Sequence, residues 1–136
     1  MRLNAHLSFH GECEAAFRFY EECLDGKIAF QLTYAETPMA GDVPEEWRGK
    51  ILHVRLDVGN DILTGADSWP GDAKAMKGFT MALHFNDAAQ VERVFGRLAE
   101  GGKVTMPLQK TFWTSHFGVL TDRFGVPWMI NFNNQA

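Results

Sequence analysis

A chain that repeats itself has few ways to fold, and this one carries a plan that recurs at a fixed distance. Leu7 and Leu83, Phe9 and Phe85, Gly26 and Gly102, and Lys27 and Lys103 all stand 76 positions apart. Between them Ala16, Phe19, Tyr20 and Cys23 match Val91, Val94, Phe95 and Leu98 at an offset of 75. One extra residue at the His10-Gly11 turn, recovered at Gly101-Gly102, accounts for the slip. Neither half is large enough to be comfortable alone, so the pattern implies a duplication whose copies share the work of making a core.

Each half reads as a strand, a helix and three further strands. In residues 4–9, Leu7 and Phe9 point one way while Asn4, His6 and Ser8 point the other. Residues 12–24 place Ala16, Phe19, Tyr20 and Cys23 on one helical stripe, and Gly26 is expected to close that helix in a left-handed conformation. Residues 28–35 are extended. Residues 36–49 are acidic, carry Pro38, Gly41 and Pro44, and read as a loop that would serve as a lid. In residues 51–58, Leu52, Val54, Leu56 and Val58 face opposite to His53, Arg55 and Asp57, and Gly59-Asn60 turns the chain into residues 61–66.

After a linker over residues 67–78, residues 79–85 form the matching strand, with Met81, Leu83 and Phe85 opposite Thr80, Ala82 and His84. Asp87 reads as a helix N-cap and Gln90 as its capping-box partner, ahead of the stripe Val91, Val94, Phe95, Leu98. Residues 104–109 are the next strand. Residues 111–132 read as a hairpin closed at Asp122-Arg123-Phe124-Gly125, in which Trp128, Ile130 and Phe132 alternate with Met129, Asn131 and Asn133. The expected fold is α+β: one domain over residues 1–136, made of two tandem βαβββ modules at about 1–66 and 78–136. The modules would form an open half-barrel with helices outside and a cavity lined by the opposite faces.

Composition narrows the function. A net charge of −4 and a pI near 5.7 leave no basic stripe for nucleic acid. No apolar run reaches the roughly 18 residues of a membrane span, and the first residues lack the apolar core of a signal peptide. Cys13 and Cys23 lie about 15 Å apart along one helix at ~1.5 Å per residue, too far for a disulfide. Two thiols also fall short of a zinc site. A cytoplasmic protein with reduced core cysteines is expected.

Four phrases identify a relative: Phe-His-Gly-Glu-Cys-Glu-Ala-Ala-Phe-Arg-Phe-Tyr from position 9, Gly-Lys-Val-Thr-Met-Pro-Leu-Gln from 102, Thr-Phe-Trp from 111, and Asp-Arg-Phe-Gly-Val-Pro-Trp-Met-Ile-Asn from 122. With the duplication, they resemble the PhnB-like family of the glyoxalase/bleomycin-resistance/dioxygenase, or vicinal oxygen chelate, superfamily. That family often carries the label 3-demethylubiquinone-9 3-methyltransferase. No Gly-rich strand-to-helix turn that would hold S-adenosylmethionine occurs here, so the sequence gives that label no support. The resemblance implies a small-molecule ligand and a homodimer.

In metal-dependent relatives four ligands, usually His or Gln and Glu, hold a divalent ion. The resemblance matches those positions to Asn4, Thr64, Thr80 and Met129. One amide, two hydroxyls and a thioether are poor donors for Zn²⁺, Mn²⁺ or Fe²⁺, so no metal cofactor is expected. The expected ligand-binding cavity is lined by His6, Ser8, His53, Arg55, His84, Trp113, His116 and Met129. Arg55 is the candidate for an anionic group, with a salt bridge to Asp57 as its competing role. Trp113 and Phe112 would form an aromatic wall at the mouth. The favoured reading is small-molecule binding without metal. Its alternative is a metal-dependent lyase, isomerase or dioxygenase that uses the histidines as an improvised cluster. No nucleophile and base pair is identifiable from spacing.

Overall fold

The computed structural model describes residues 1–70 and 74–133 and divides the chain into two compact units, Met1–Ala73 and Lys74–Ala136. The first unit contains β1 (Ala5–Phe9), α1 (Cys13–Cys23), β2 (Lys27–Thr33), β3 (Ile51–Val58) and β4 (Asp61–Asp67). The second contains β5 (Met81–Phe85), α2 (Ala88–Ala99), β6 (Lys103–Gln109), β7 (Phe117–Thr121) and β8 (Pro127–Phe132). Their sheets have the same order, β1-β4-β3-β2 and β5-β8-β7-β6. In each, the first strand pairs parallel to the last and the remaining pairs are antiparallel. The expected architecture of two open four-stranded βαβββ modules is therefore the observed one.

The repeat is regular where the sequence suggested it. β2 and β6 begin at Lys27 and Lys103 and run the same length. Gly59 and Gly125, 66 positions apart, both take positive φ in the last hairpin turn of their unit. The fall from 76 to 66 has a plain source: 17 residues join β2 to β3, whereas seven join β6 to β7.

That longer connection is not a loose lid. It winds through three short 3₁₀ turns, Tyr34–Glu36, Pro38–Asp42 and Glu45–Trp47, and buries Tyr34, Val43 and Trp47 against Leu52. The Tyr34 hydroxyl donates to the Asp67 carbonyl at 2.7 Å, and Trp47 lies between the rings of His10 and Trp69, tilted against each, with centroids 4.9 and 5.3 Å away. The Pro and Gly content marked a break in regular structure; the interspersed aromatics fold that break onto its own unit. Glu36 accepts from the Thr33 backbone and hydroxyl, bonds that hold its carboxyl below the usual range.

Local corrections follow from sterics. Gly26 is not the left-handed residue; Asp25 is, at φ 51°, one of the few side chains that tolerates that region. Gly26 is small for another reason, since a Cβ there would sit 2.8 Å from the Asp57 carbonyl. Phe17, not Phe19, is the fully buried helix residue beside Cys13, Ala16, Tyr20 and Cys23. The buried faces of the helices consequently match at 78, Cys13 to Val91, Ala16 to Val94, Phe17 to Phe95 and Tyr20 to Leu98. Offsets of 75 and 78 differ by nearly one helical turn, which is why periodicity alone did not separate them. Asp87 caps α2 by accepting from Ala89, but Gln90 turns its oxygen to Arg93 rather than back to the cap. The strands are shorter than expected at their starts: Asn4, Phe79 and Thr80 precede β1 and β5, and residues 110–116 precede β7.

Helix and sheet meet over a glycine in each unit. A Cβ on Gly65 in β4 would lie 2.5 Å from the Phe17 ring, and one on Gly118 in β7 would lie 2.6 Å from the Phe95 ring. The missing side chain lets an aromatic ring approach the strand closely. Under the chain entering α1, the buried Asp67 carboxylate accepts from the backbone N–H of Gly11, Cys13 and Ile51. Asp122 does the equivalent in the β7–β8 turn, accepting from Phe124, Val126 and the Trp128 indole.

Candidate functional site

With the helix on one side, each sheet keeps a second face that the helix does not cover. On the first sheet that face is set by register. His6 pairs with Thr64, Thr64 with Arg55, and Arg55 with Phe30, so these four share one row. In the next row Ser8 pairs with Ala66, and His53 pairs with Leu32. Strand alternation thus brings His6, Ser8, His53 and Arg55 to one face, as expected.

Their contacts are specific. Thr64 Oγ1 lies 2.8 Å from His6 Nδ1 and accepts from Asn4 Nδ2 at 3.2 Å. The His6 and His53 rings stack, with centroids 6.1 Å apart and planes 13° from parallel, and Phe30 tilts against His53 at 5.4 Å. Burial, and secondarily the neighbouring His53, lowers the His6 pKa, so His6 is neutral at pH 7. Arg55 Nε donates to Asp57 at 2.8 Å, which is the competing role anticipated for it. That bond leaves the two terminal guanidinium nitrogens for another acceptor.

On the second sheet Ala82, Met129, Val119 and Met106 form one row, and His84, Asn131 and Phe117 the next. The Asn131 amide nitrogen approaches His84 Nδ1 at 3.3 Å, while its oxygen is buried with no hydrogen-bond partner among the described residues. Trp113 is not on a strand. It lies edge-on over Phe117 at 5.2 Å and so reaches the same face, whereas Phe112 beside it is fully exposed.

His116 does not join this group. It stands across from Phe132 and turns to the helix side, with Nε2 3.8 Å from Glu92 of α2 and Nδ1 2.8 Å from Ser115 Oγ. The order Ser115, His116, Glu92 has the look of a nucleophile relay that spacing did not disclose. Glu92 is 68% exposed, however, and the N–H groups of Trp113, Thr114 and His116 already donate to Thr111 and Thr114 hydroxyls, leaving none of the three for an oxyanion. The cysteines are buried and neither forms a disulfide; burial, reinforced by Asp67 and Glu14, pushes the Cys13 thiol far up, so it is no nucleophile.

The four positions matched to metal ligands can now be placed. Asn4 and Thr64 face one another at hydrogen-bond distance, Thr80 precedes β5, and Met129 is in β8. These donors do not suit a divalent ion. No group of three His, Cys, Asp or Glu side chains able to hold one occurs among the described residues.

This arrangement has known counterparts. The model of the glyoxalase/bleomycin resistance protein/dioxygenase superfamily matches residues 2–130. The chain belongs to that superfamily. Protein YjdN of Escherichia coli K12 is a relative at 33% identity, over 96% of this chain and 95% of its own length. The crystal structure of protein PA1353 from Pseudomonas aeruginosa is similar with a TM-score of 0.89 and 40% identity, covering 98% of both chains. The PhnB protein from Bacillus cereus, described as a 3-demethylubiquinone-9 3-methyltransferase by assignment only, has a similar fold at a TM-score of 0.84 and 21% identity, over 98% of this chain and all of its own. Among the described residues no helix is long and apolar enough to cross a membrane.

Proposed function

We propose that this superfamily member is a cytoplasmic small-molecule-binding protein, assembled as a homodimer, whose ligand site works without the divalent ion of its metal-dependent relatives. The observation that carries the reading is the Asn4–Thr64–His6 hydrogen-bond chain. It uses, for contacts within the protein, the corner that two metal ligands would occupy, and it does so with neutral donors. A histidine-based metal site finds little support: the near-parallel rings of His6 and His53 keep their in-plane lone pairs from converging on one ion, and His116 turns to α2. Methyl transfer is not part of the reading, because two βαβββ units offer no doubly wound sheet and no Gly-rich turn for S-adenosylmethionine.

The test is a thermal-shift screen of small molecules with chelator present throughout, followed by titration of each hit against wild type and Thr64→Val. Hits that survive the chelator and weaken in the variant are expected. A chain stabilised only by ligands that need an added divalent ion would reverse the proposal in favour of a metal-dependent lyase, isomerase or dioxygenase.

A further inference from the structure

The uncovered face of the first sheet has a charge that the whole chain does not. The protein carries −4, yet the charged strand positions on this face are Arg55, Lys27 and Asp57, which sum to +1. Lys27 stands cross-strand from Asp57, and Asp57 takes only the Nε of Arg55. The terminal nitrogens of that guanidinium are two parallel donors, the geometry that fits a carboxylate or phosphoryl group. One row away, neither ring nitrogen of His53 has a hydrogen-bond partner among the described residues, although its ring is held between His6 and Phe30. Phe30 itself is 45% exposed, directly across from Arg55. A partly desolvated cation, a held imidazole and an open aromatic ring thus adjoin on β2 and β3.

We infer that this face takes a small ligand with an oxyanionic headgroup, carboxylate or phosphoryl, seated on Arg55 and His53, with a flat apolar body against Phe30. The inference rests on the binding function proposed above and names the class of ligand. Asp57 sets the strength of the seat: it orients the guanidinium through Nε and offsets part of its charge, so the headgroup competes with one fixed carboxylate rather than with solvent alone.

The experiment titrates the full chain with benzoate, phenyl phosphate and the neutral isosteres benzamide and benzyl alcohol, reading the His53 ring protons by NMR. One or both anions should shift the His53 signals, and the pair distinguishes a planar from a tetrahedral headgroup. The isosteres should bind at least tenfold more weakly. Arg55→Gln should cut anion affinity about tenfold, the loss of one charge-assisted hydrogen bond. Asp57→Asn should raise it, a change that damage to the fold does not produce. Equal binding of anions and isosteres overturns the ligand class while leaving small-molecule binding intact. Anion binding indifferent to both substitutions overturns the seat, and so does silence of His53 toward all four probes. The library screen above judges the broader reading independently of these outcomes.

Discussion

At the scale of the residue, the most consequential side chain is Asp67, which the sequence placed at the head of a linker. It is 1% exposed and accepts three backbone N–H bonds, tying the entry of α1 to the start of β3. Asp67→Ala would strand those donors in a dry site, and a loss of roughly 2–4 kcal/mol is expected, measured as a drop in urea midpoint at unchanged m-value. A surface-like change below about 0.5 kcal/mol would show that water replaces the carboxylate. His6 gives a second residue-scale prediction. Its pKa is lowered in the folded state, mainly by burial, from an ordinary value of 6.5. The unfolded chain therefore binds the proton more readily, so the contribution is fully present above pH 6.5 and is lost as pH falls from there toward the folded value. Melting temperature measured between pH 7.5 and about 5 should fall less steeply in His6→Gln than in wild type. Equal slopes would mean that His6 feels the same surroundings folded and unfolded. Asp67 was hidden from sequence reasoning because hydrogen bonds to backbone leave no trace in spacing; His6 was visible because strand alternation alone decides its face.

At the scale of the element, helix position is governed by what each strand omits. The apolar stripes of α1 and α2 were legible as periodicities, but which aromatic is innermost depends on where the sheet leaves room. Gly65 and Gly118 leave that room, and they are not partners in the repeat, being in β4 and β7. Propensity says that alanine in a strand interior outdoes glycine by roughly 0.5–1 kcal/mol. Packing says the reverse here, because the Gly65 Cβ would meet the Phe17 ring at 2.5 Å and the Leu7 carbonyl at 3.0 Å. Phe17 is fully buried and has nowhere to swing. Gly65→Ala should thus destabilise by about 1–3 kcal/mol. The partner change Phe17→Leu, costly in the wild type, should cost less in the Gly65→Ala background. Strict additivity in that double-mutant cycle would show that ring and strand do not compete for space. The same reasoning explains why residues 111–116 are not strand: their β-branched and aromatic side chains suit one, but the Thr111 and Thr114 hydroxyls accept the local N–H groups that a strand would need.

At the scale of the whole molecule, duplication decides more than any single motif. Because each unit builds the same β-sheet order, the positions that the resemblance matches to metal ligands can be judged unit by unit. The first unit supplies Asn4 and Thr64, already bonded to one another, and the second supplies Thr80 and Met129. Neither contributes a carboxylate or an imidazole at those positions, so the ion-binding free energy that would otherwise add to stability has no strong ligand to act through. Prolonged dialysis against a chelator should accordingly leave the melting temperature unmoved, and elemental analysis of the undialysed protein should find divalent metal well below one per chain. Converting one corner gives the sharper measurement. Asn4→His with Thr64→Glu replaces the hydrogen-bonded pair with an imidazole and a carboxylate beside the His6 ring, three donors where the wild type has one, and added Zn²⁺ should raise the melting temperature of that variant but not of the wild type. A wild-type chain that gains stability from Zn²⁺ as the variant does would mean that the ion is held by donors other than these corners, and the histidines of the uncovered faces would be the first to replace.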